Sequence, residues 1–369
     1  MRKEKILFLI RLPPPMHGAA KMNFLYLNSK VINDQYNIKY IKLNNYSSLQ
    51  KNIFSIFLQL IGFLKIIAVL FFNLLFFEYK LIYFEIAPKG SAFIRDSIYI
   101  WICKLFNKKI ICQFHAKGIS QDIKTKWQLK YYKSVFKNVK VILLSKKLYD
   151  DIKLIIPEKN VYYLPNGIEN EITDTQFKEI IKIRQQNKEL VLLYLSNMIE
   201  SKGPLEVLEI CRLLKKEKVN FKCYFAGAWD SEKFRIKWFS TVKKYNLNNE
   251  CIYVGPKYGI EKNELLFKSN YLIFPTQYPM ECYPLVILEA FMFGIPVLAY
   301  NNGAISDIIN SKKLGYVALN NKYVEIYNYI MKDTHQSKDY LFIREKFKTT
   351  FVFNKSENKL KSIFMSVIK

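Results

Sequence analysis

The 369-residue chain carries 57 Lys and Arg against 31 Asp and Glu, a formal charge of +26, and half of its residues are hydrophobic. That length exceeds one ordinary core of about 100 to 200 residues, so two domains are expected, and the apolar content excludes global disorder. Cys103, Cys112, Cys211, Cys223, Cys251 and Cys282 form no CxxC pair, and the three histidines lack metal-ligand spacing, which argues for buried reduced thiols and against a structural or catalytic metal.

The charge is uneven: residues 1–165 carry 27 Lys and Arg against 9 Asp and Glu, and the remainder carries 30 against 22. An acidic partner such as a phospholipid surface, a polyphosphate or a nucleic acid would suit the first half. "KILFLI" runs at once into "RLPPPMHG" and has no small-residue cleavage site, so it reads as a first strand rather than a signal peptide. Residues 53–77 are long enough to span a bilayer, with Lys65 as their single charge. They lead straight into the strand-like "KLIYFE" without a basic cluster, which favours helices packed on a sheet, with shallow membrane contact as the alternative.

Apolar β-rich runs then recur with helical stretches between them. In the first half they are "KILFLI", "NIKYIKL", "KLIYFE", "KKIICQF", "KVILLS" and "VYYLP"; in the second, "LVLLYLS", "FKCYFAG", "CIYVG", "YLIFP" and "PVLAY". Continuous apolar strands alternating with helices predict parallel sheets covered on both faces, hence two doubly wound α/β domains. The Pro-Asn-Gly cluster of "LPNGIENEITD" marks the boundary, giving domains 1–168 and 169–340, and a helical stretch over 341–369 is expected to pack across both.

Ligands of such sheets bind beyond the carboxyl ends of the strands. After the first strand, Gly18 stands before a helix, where backbone can approach a phosphate, although the full GxGxxG is absent. His115 follows "KKIICQF" directly and so is expected in the cleft. Asn197 ends the strand "LVLLYLS", and Lys202-Gly203 precedes a helix, where an ammonium can neutralise a diphosphate. Glu281 falls in the loop after Pro275, and a helix is predicted to start at Pro284 or Leu285 and to hold Glu289. Two carboxylates at this spacing can accept hydroxyls of one polyhydroxylated ligand at two depths. The helix around Glu289 is apolar nearly all round, so burial without a partner would be costly, and a ligand is expected to supply one.

The segments "PPPMHGAA", "LPNGIE", "SNMIESKGP", "IYVGP" and "ECYPLVILEAFMFGIPVLAYNNGAISDII", in this order, resemble the retaining glycosyltransferases of family four. The resemblance implies a GT-B fold, two Rossmann-like domains facing across a cleft, the first on the acceptor side and the second binding a nucleotide sugar. It implies that Glu289 binds ribose, Glu281 the transferred sugar and Lys202 the diphosphate. Gly18 would let the first loop close over the phosphates, His115 would contact the sugar, and the backbone near Gly255 would lie by the base. Asn197 stands where the family usually has Arg, and Pro284 where it commonly has Gly, leaving Tyr283 and Leu285 among the backbone donors. No cofactor and no metal are expected; the leaving phosphate could accept the acceptor's proton.

Between Asp122 and Asp150 lie eight lysines and no acidic residue, interleaved with Trp127, Tyr131 and Phe136. Such a basic amphipathic stretch suits an anionic membrane surface, and with it a glycan or polyprenyl-linked acceptor in bacterial surface-polysaccharide synthesis at the cytoplasmic face of the plasma membrane. An epimerase on the same scaffold would need an acid and a base flanking the sugar, and no convincing carboxylate pair stands out in the first domain. A nucleic-acid-binding protein would explain the charge but not Glu281 and Glu289, and no nucleic-acid-binding motif is present.

Overall fold

The computed structural model of the chain describes residues 3–15, 17–43, 53–332 and 339–369. Two units emerge: Met1–Asn166 with Asn354–Lys369, and Gly167–Phe353.

The first unit runs β1 (Glu4–Ile10), α1 (Gly18–Leu27), α2 (Lys30–Gln35), β2 (Tyr36–Lys42), α3 (Ile53–Phe76), β3 (Leu81–Glu85) and α4 (Gly90–Leu105). It continues with β4 (Ile110–Gln113), α5 (Ile119–Asp122), α6 (Lys126–Phe136), β5 (Lys140–Leu143) and β6 (Val161–Tyr163). The strands pair in parallel in the order β2-β1-β3-β4-β5-β6. β3 and β4 are buried at every position, which is why they read as unbroken apolar runs rather than alternating ones. Phe8 and Tyr83, side by side in register, lie 4.6 Å apart between ring centroids with their planes tilted at 45°.

The second unit runs α7 (Asp174–Gln186), β7 (Leu190–Leu195), α8 (Pro204–Lys216), β8 (Phe221–Ala226), α9 (Glu232–Lys244), β9 (Cys251–Tyr253) and α10 (Gly259–Lys268). Then follow β10 (Tyr271–Phe274), α11 (Leu285–Met292), β11 (Val297–Tyr300), α12 (Ile305–Ile308), β12 (Gly315–Ala318), α13 (Tyr323–Lys332) and α14 (Tyr340–Lys346). The order β12-β11-β10-β7-β8-β9 puts the unit's first strand in the middle and builds outward in both directions, the doubly wound pattern. Trp238 of α9 closes the core edge-on against Phe225 of β8. The four-residue β12 was not among the expected strands; its sequence, GYVA, begins with Gly315 and ends with Ala318, both poor strand formers, so only Tyr316 and Val317 mark it.

The helical stretch expected from Tyr340 onward is broken. A π-helical turn, Phe347–Phe351, follows α14, Val352 is extended and bridges Ile168, and α15 (Phe353–Ile368) starts anew. The β-branched run Thr349-Thr350 and Val352 weakens helix there. α15 lies in the first unit, with Phe364 edge-on to Phe8 and Tyr83 and Ser356 bonded to Tyr26 at 2.5 Å. All six cysteines are free and buried.

Candidate active site

In the second unit the chain leaves β7 toward β8 on one side and returns through α10 to β10 on the other, so the sheet's switch point lies between β7 and β10. At the carboxyl end of such a crevice doubly wound folds bind ligands. The two loops meet there. After β7 a 3-10 turn, Glu200–Lys202, ends in Gly203 at φ +83°, and a Cβ at Gly203 would sit 2.4 Å from the Pro275 carbonyl. Glycine is therefore required for the β7 loop to lie against the end of β10. Pro204 then opens α8 at its first helical position, where a missing N–H costs nothing.

Across the crevice Lys202 Nζ lies 2.7 Å from Glu281 Oε2, with both side chains largely buried. The Tyr278 ring covers the ammonium at 4.7 Å, and Thr276 Oγ1 donates to the same carboxylate oxygen at 3.2 Å. The β11 loop fixes the carboxylate loop from behind. Asn302 Nδ2 donates to the Tyr278 carbonyl at 2.9 Å, Ala304 N–H to Cys282 O at 2.8 Å, and a Cβ on Gly303 would strike Glu281 O at 2.5 Å.

Glu289 sits on α11 one turn beyond Leu285, and Tyr283 and Pro284 are buried at the helix entrance. Here the sequence-based expectation is corrected. Glu289 does not wait for a ligand: Lys262 of α10 pairs with it at 2.8 Å, and both side chains are nearly nine-tenths buried. The buried carboxylate is thus compensated within the protein, as its desolvation requires. Asn197 is exposed, and its carbonyl accepts the Tyr194 hydroxyl. Gly255 follows β9, and its carbonyl accepts the Gly227 N–H at 3.1 Å. Lys202, Glu281, Lys262 and Glu289 therefore form two cation–carboxylate pairs. Lys262, Thr276, Asn302 and Gly303 were missed, because a lysine on an amphipathic helix and an Asn-Gly turn look like solvated surface in one dimension.

Arg184 of α7 holds the two helices behind these pairs. Its guanidinium is buried and donates to Leu266 O and Phe267 O in the last turn of α10, at 2.6 and 3.0 Å, and to Phe293 O at the end of α11, at 2.8 Å. Burial pushes it down to about 10, which leaves it a cation facing the negative ends of two helix dipoles.

The first unit gathers its own polar cluster beyond β1, β3 and β4. Arg11 pairs with Glu85 at 3.1 Å and with Asp96 at 3.2 Å, while Asn23 of α1 donates to Glu85. No convincing carboxylate pair stands out here in the sequence. The structure brings Glu85 and Asp96 to one guanidinium, although they lie on different elements. Gly18 is exposed in the first turn of α1, behind His17, whose Nδ1 accepts the Ala20 N–H as the helix cap. His115 follows β4, and its Nε2 is buried without a hydrogen-bond partner among the described residues. Burial pushes the imidazole down to about 4; Glu85 opposes the shift, and His17 and Arg11 add to it.

That depression has a measurable consequence. Histidine in an unfolded chain titrates near 6.5, so between about pH 4 and 6.5 the unfolded state holds a proton that folded His115 does not. Stability from this group is complete above that window and is lost as pH falls through it. Urea midpoints measured from pH 7.5 to 4.5 should fall, and His115→Asn should flatten the slope by up to about 1.4 kcal/mol per pH unit.

Residues 175–346 match the family described as glycosyl transferases group 1, a span that covers both cation–carboxylate pairs. The second unit is a group 1 glycosyl transferase domain. The amylovoran biosynthesis glycosyltransferase AmsK of Erwinia amylovora is similar to the chain, 23% identical over 221 residues, which cover 58% of the chain and 52% of AmsK. Protein CapJ of Staphylococcus aureus is 28% identical over 224 residues, 58% of the chain and 54% of CapJ. The chain thus spans about half the length of these curated relatives.

Among solved structures, Anabaena HepE in complex with UDP and glucose superposes with a TM-score of 0.72 at 16% identity, covering 98% of the chain and all of HepE. The sucrose-phosphate synthase of Thermosynechococcus elongatus gives a TM-score of 0.73 at 14% identity over 99% of each chain. At these identities the likeness establishes the fold: the group 1 domain and the first unit are the two Rossmann-like domains of a GT-B protein.

Proposed function

We propose that the protein transfers a hexose-type sugar, with retention, from a nucleotide-sugar donor to a glycan or polyprenyl-linked acceptor in bacterial surface-polysaccharide synthesis. The observation that carries this reading is the Lys202–Glu281 contact at the switch point of the group 1 domain, with Lys262–Glu289 beside it on α11. AmsK is named for amylovoran biosynthesis and HepE was solved with UDP and glucose, which supports a nucleotide-sugar donor and a polysaccharide product.

A diphosphate entering the crevice would meet the Lys202 ammonium, and departure of that diphosphate concentrates negative charge where the ammonium can stabilise it. The carboxylates of Glu281 and Glu289 suit hydroxyls of sugar and ribose. Charge stabilisation is assigned to lysine and backbone N–H groups rather than to a metal ion, and proton acceptance to the leaving phosphate.

The test is ligand-observed NMR with UDP-, GDP- and CMP-sugars. Saturation transfer to one nucleotide sugar, lost in folded Lys202→Ala and Glu289→Ala variants, is the expected result. Absence of transfer to all three, or wild-type transfer in both variants, overturns the donor site.

A further inference from the structure

α3, α4 and α6 lie side by side on one face of the first unit's sheet, with α4 contacting both neighbours. Their inner surfaces are ordinary core. α4 buries Phe93, Ser97, Ile100 and Cys103, and α3 seats Leu70 and Leu74 inward, with Phe63 against Tyr99 and Phe71 edge-on to Phe106.

The outer surfaces are not those of a solvated layer. α4 carries a second apolar stripe at helical spacing, Ile94, Ile98, Trp101 and Leu105, 37 to 77% exposed. Residues 56–76 of α3 are apolar enough to cross a membrane, yet only 17% of their most apolar stretch is buried. Phe57, Leu64, Phe72 and Phe76 are all more than half exposed. An amphipathic helix has one apolar side; these two have apolar sides both toward the core and away from it. The exposed side exceeds what isolated surface hydrophobics account for.

Beside this surface α6 presents a row of exposed lysines, Lys126, Lys130, Lys133 and Lys137, at the same helical spacing and with no acidic residue in the helix. Trp127 is 70% exposed between the lysines and the apolar stripe, stacked on Tyr131 at 5.5 Å. Apolar area bordered by ammonium groups and an interfacial tryptophan matches the boundary between acyl chains and anionic headgroups.

We infer that the outer face of α3, α4 and α6 is a docking surface for an anionic lipid bilayer, with α3 lying in the plane of the leaflet. α3 is packed along β2 and α4 as a layer of its own domain, so crossing the bilayer would require it to leave the sheet. A second copy of the chain is a poorer occupant, since in an isologous contact its matching face offers these lysines apolar or basic groups rather than anions. Donor binding and surface docking use different residues and are separable in experiment.

The test is co-sedimentation of the full chain with vesicles of phosphatidylcholine alone or mixed three to one with phosphatidylglycerol. Binding to the mixed vesicles that weakens with salt, and falls at least tenfold in Lys130→Glu/Lys133→Glu and in Ile98→Glu/Trp101→Glu, is the expected result. All four residues are exposed, so folding and the nucleotide-sugar saturation transfer should persist in both variants. Docking is overturned by lack of vesicle binding, by equal binding to neutral vesicles, or by retention in the bilayer after alkaline carbonate extraction, which would make α3 a span. It is also overturned by a dimer in light scattering that Ile98→Glu/Trp101→Glu dissolves while vesicles are ignored. If vesicles bind as expected and no nucleotide sugar does, the transferase reading fails and the docking surface stands.

Discussion

Glu281→Ala should lower kcat/KM for sugar transfer by about 10² to 10³, the loss typical of removing a group that organises charge stabilisation in a transition state. The Glu281 carboxylate holds the Lys202 ammonium at 2.7 Å, above the Tyr278 ring. In the proposed reaction a diphosphate would share that ammonium, with the attraction growing as the bond to the sugar breaks. Removing the carboxylate lets the lysine side chain wander and removes an acceptor for sugar hydroxyls, so kcat should fall more than KM rises. Lys202→Met keeps the aliphatic stem and should cost a comparable factor. The double variant should be little worse than either single one, because groups that act as a unit are not additive. Steady-state kinetics with the donor found by NMR, beside thermal melts, checks this. Full activity of folded Glu281→Ala would remove Glu281 from the mechanism.

Arg184→Met should lower stability by about 3 kcal/mol or more. The change strands two buried carbonyls, Leu266 and Phe293, and the part-buried one of Phe267; a buried group left unpaired costs about 1 to 3 kcal/mol, and only part is returned by no longer burying a cation. For a unit of this size the loss corresponds to a fall in Tm on the order of 10 °C. Because Arg184 ties the end of α10 to the end of α11, it also sets the spacing of Lys262 and Glu289. Donor affinity should therefore drop even at temperatures where the variant is folded. Calorimetry and donor titration at 15 °C separate the two effects; an unchanged Tm would show that the carbonyls find other partners.

Much of the architecture was legible because fully buried parallel strands leave a strong one-dimensional trace. All eleven expected runs became strands, and β12 escaped because Gly315 and Ala318 leave only Tyr316 and Val317 to mark it. The helix start before Glu289 was equally readable, since Pro284 and Leu285 mark it and Gly294 with Pro296 end the pattern. The break after α14 was not, because β-branched residues weaken a helix without forbidding one.

By itself, then, the sequence determined the alternation of strands and helices, the two sheets, the excess of basic charge in the first half, the positions of Lys202 and Glu281 in loops that follow strands, and that of Glu289 on the next helix. These follow from local patterns of apolarity, turn residues and charge. Tertiary structure alone decided which charges meet. Lys262 finds Glu289 from 27 positions away and Arg11 finds Asp96 from 85, distances over which no local pattern carries information. It also decided which apolar helices stay exposed. The apolar runs of α3 and α4 read as core in one dimension, and only the packed sheet shows that one face of each was never needed to cover it.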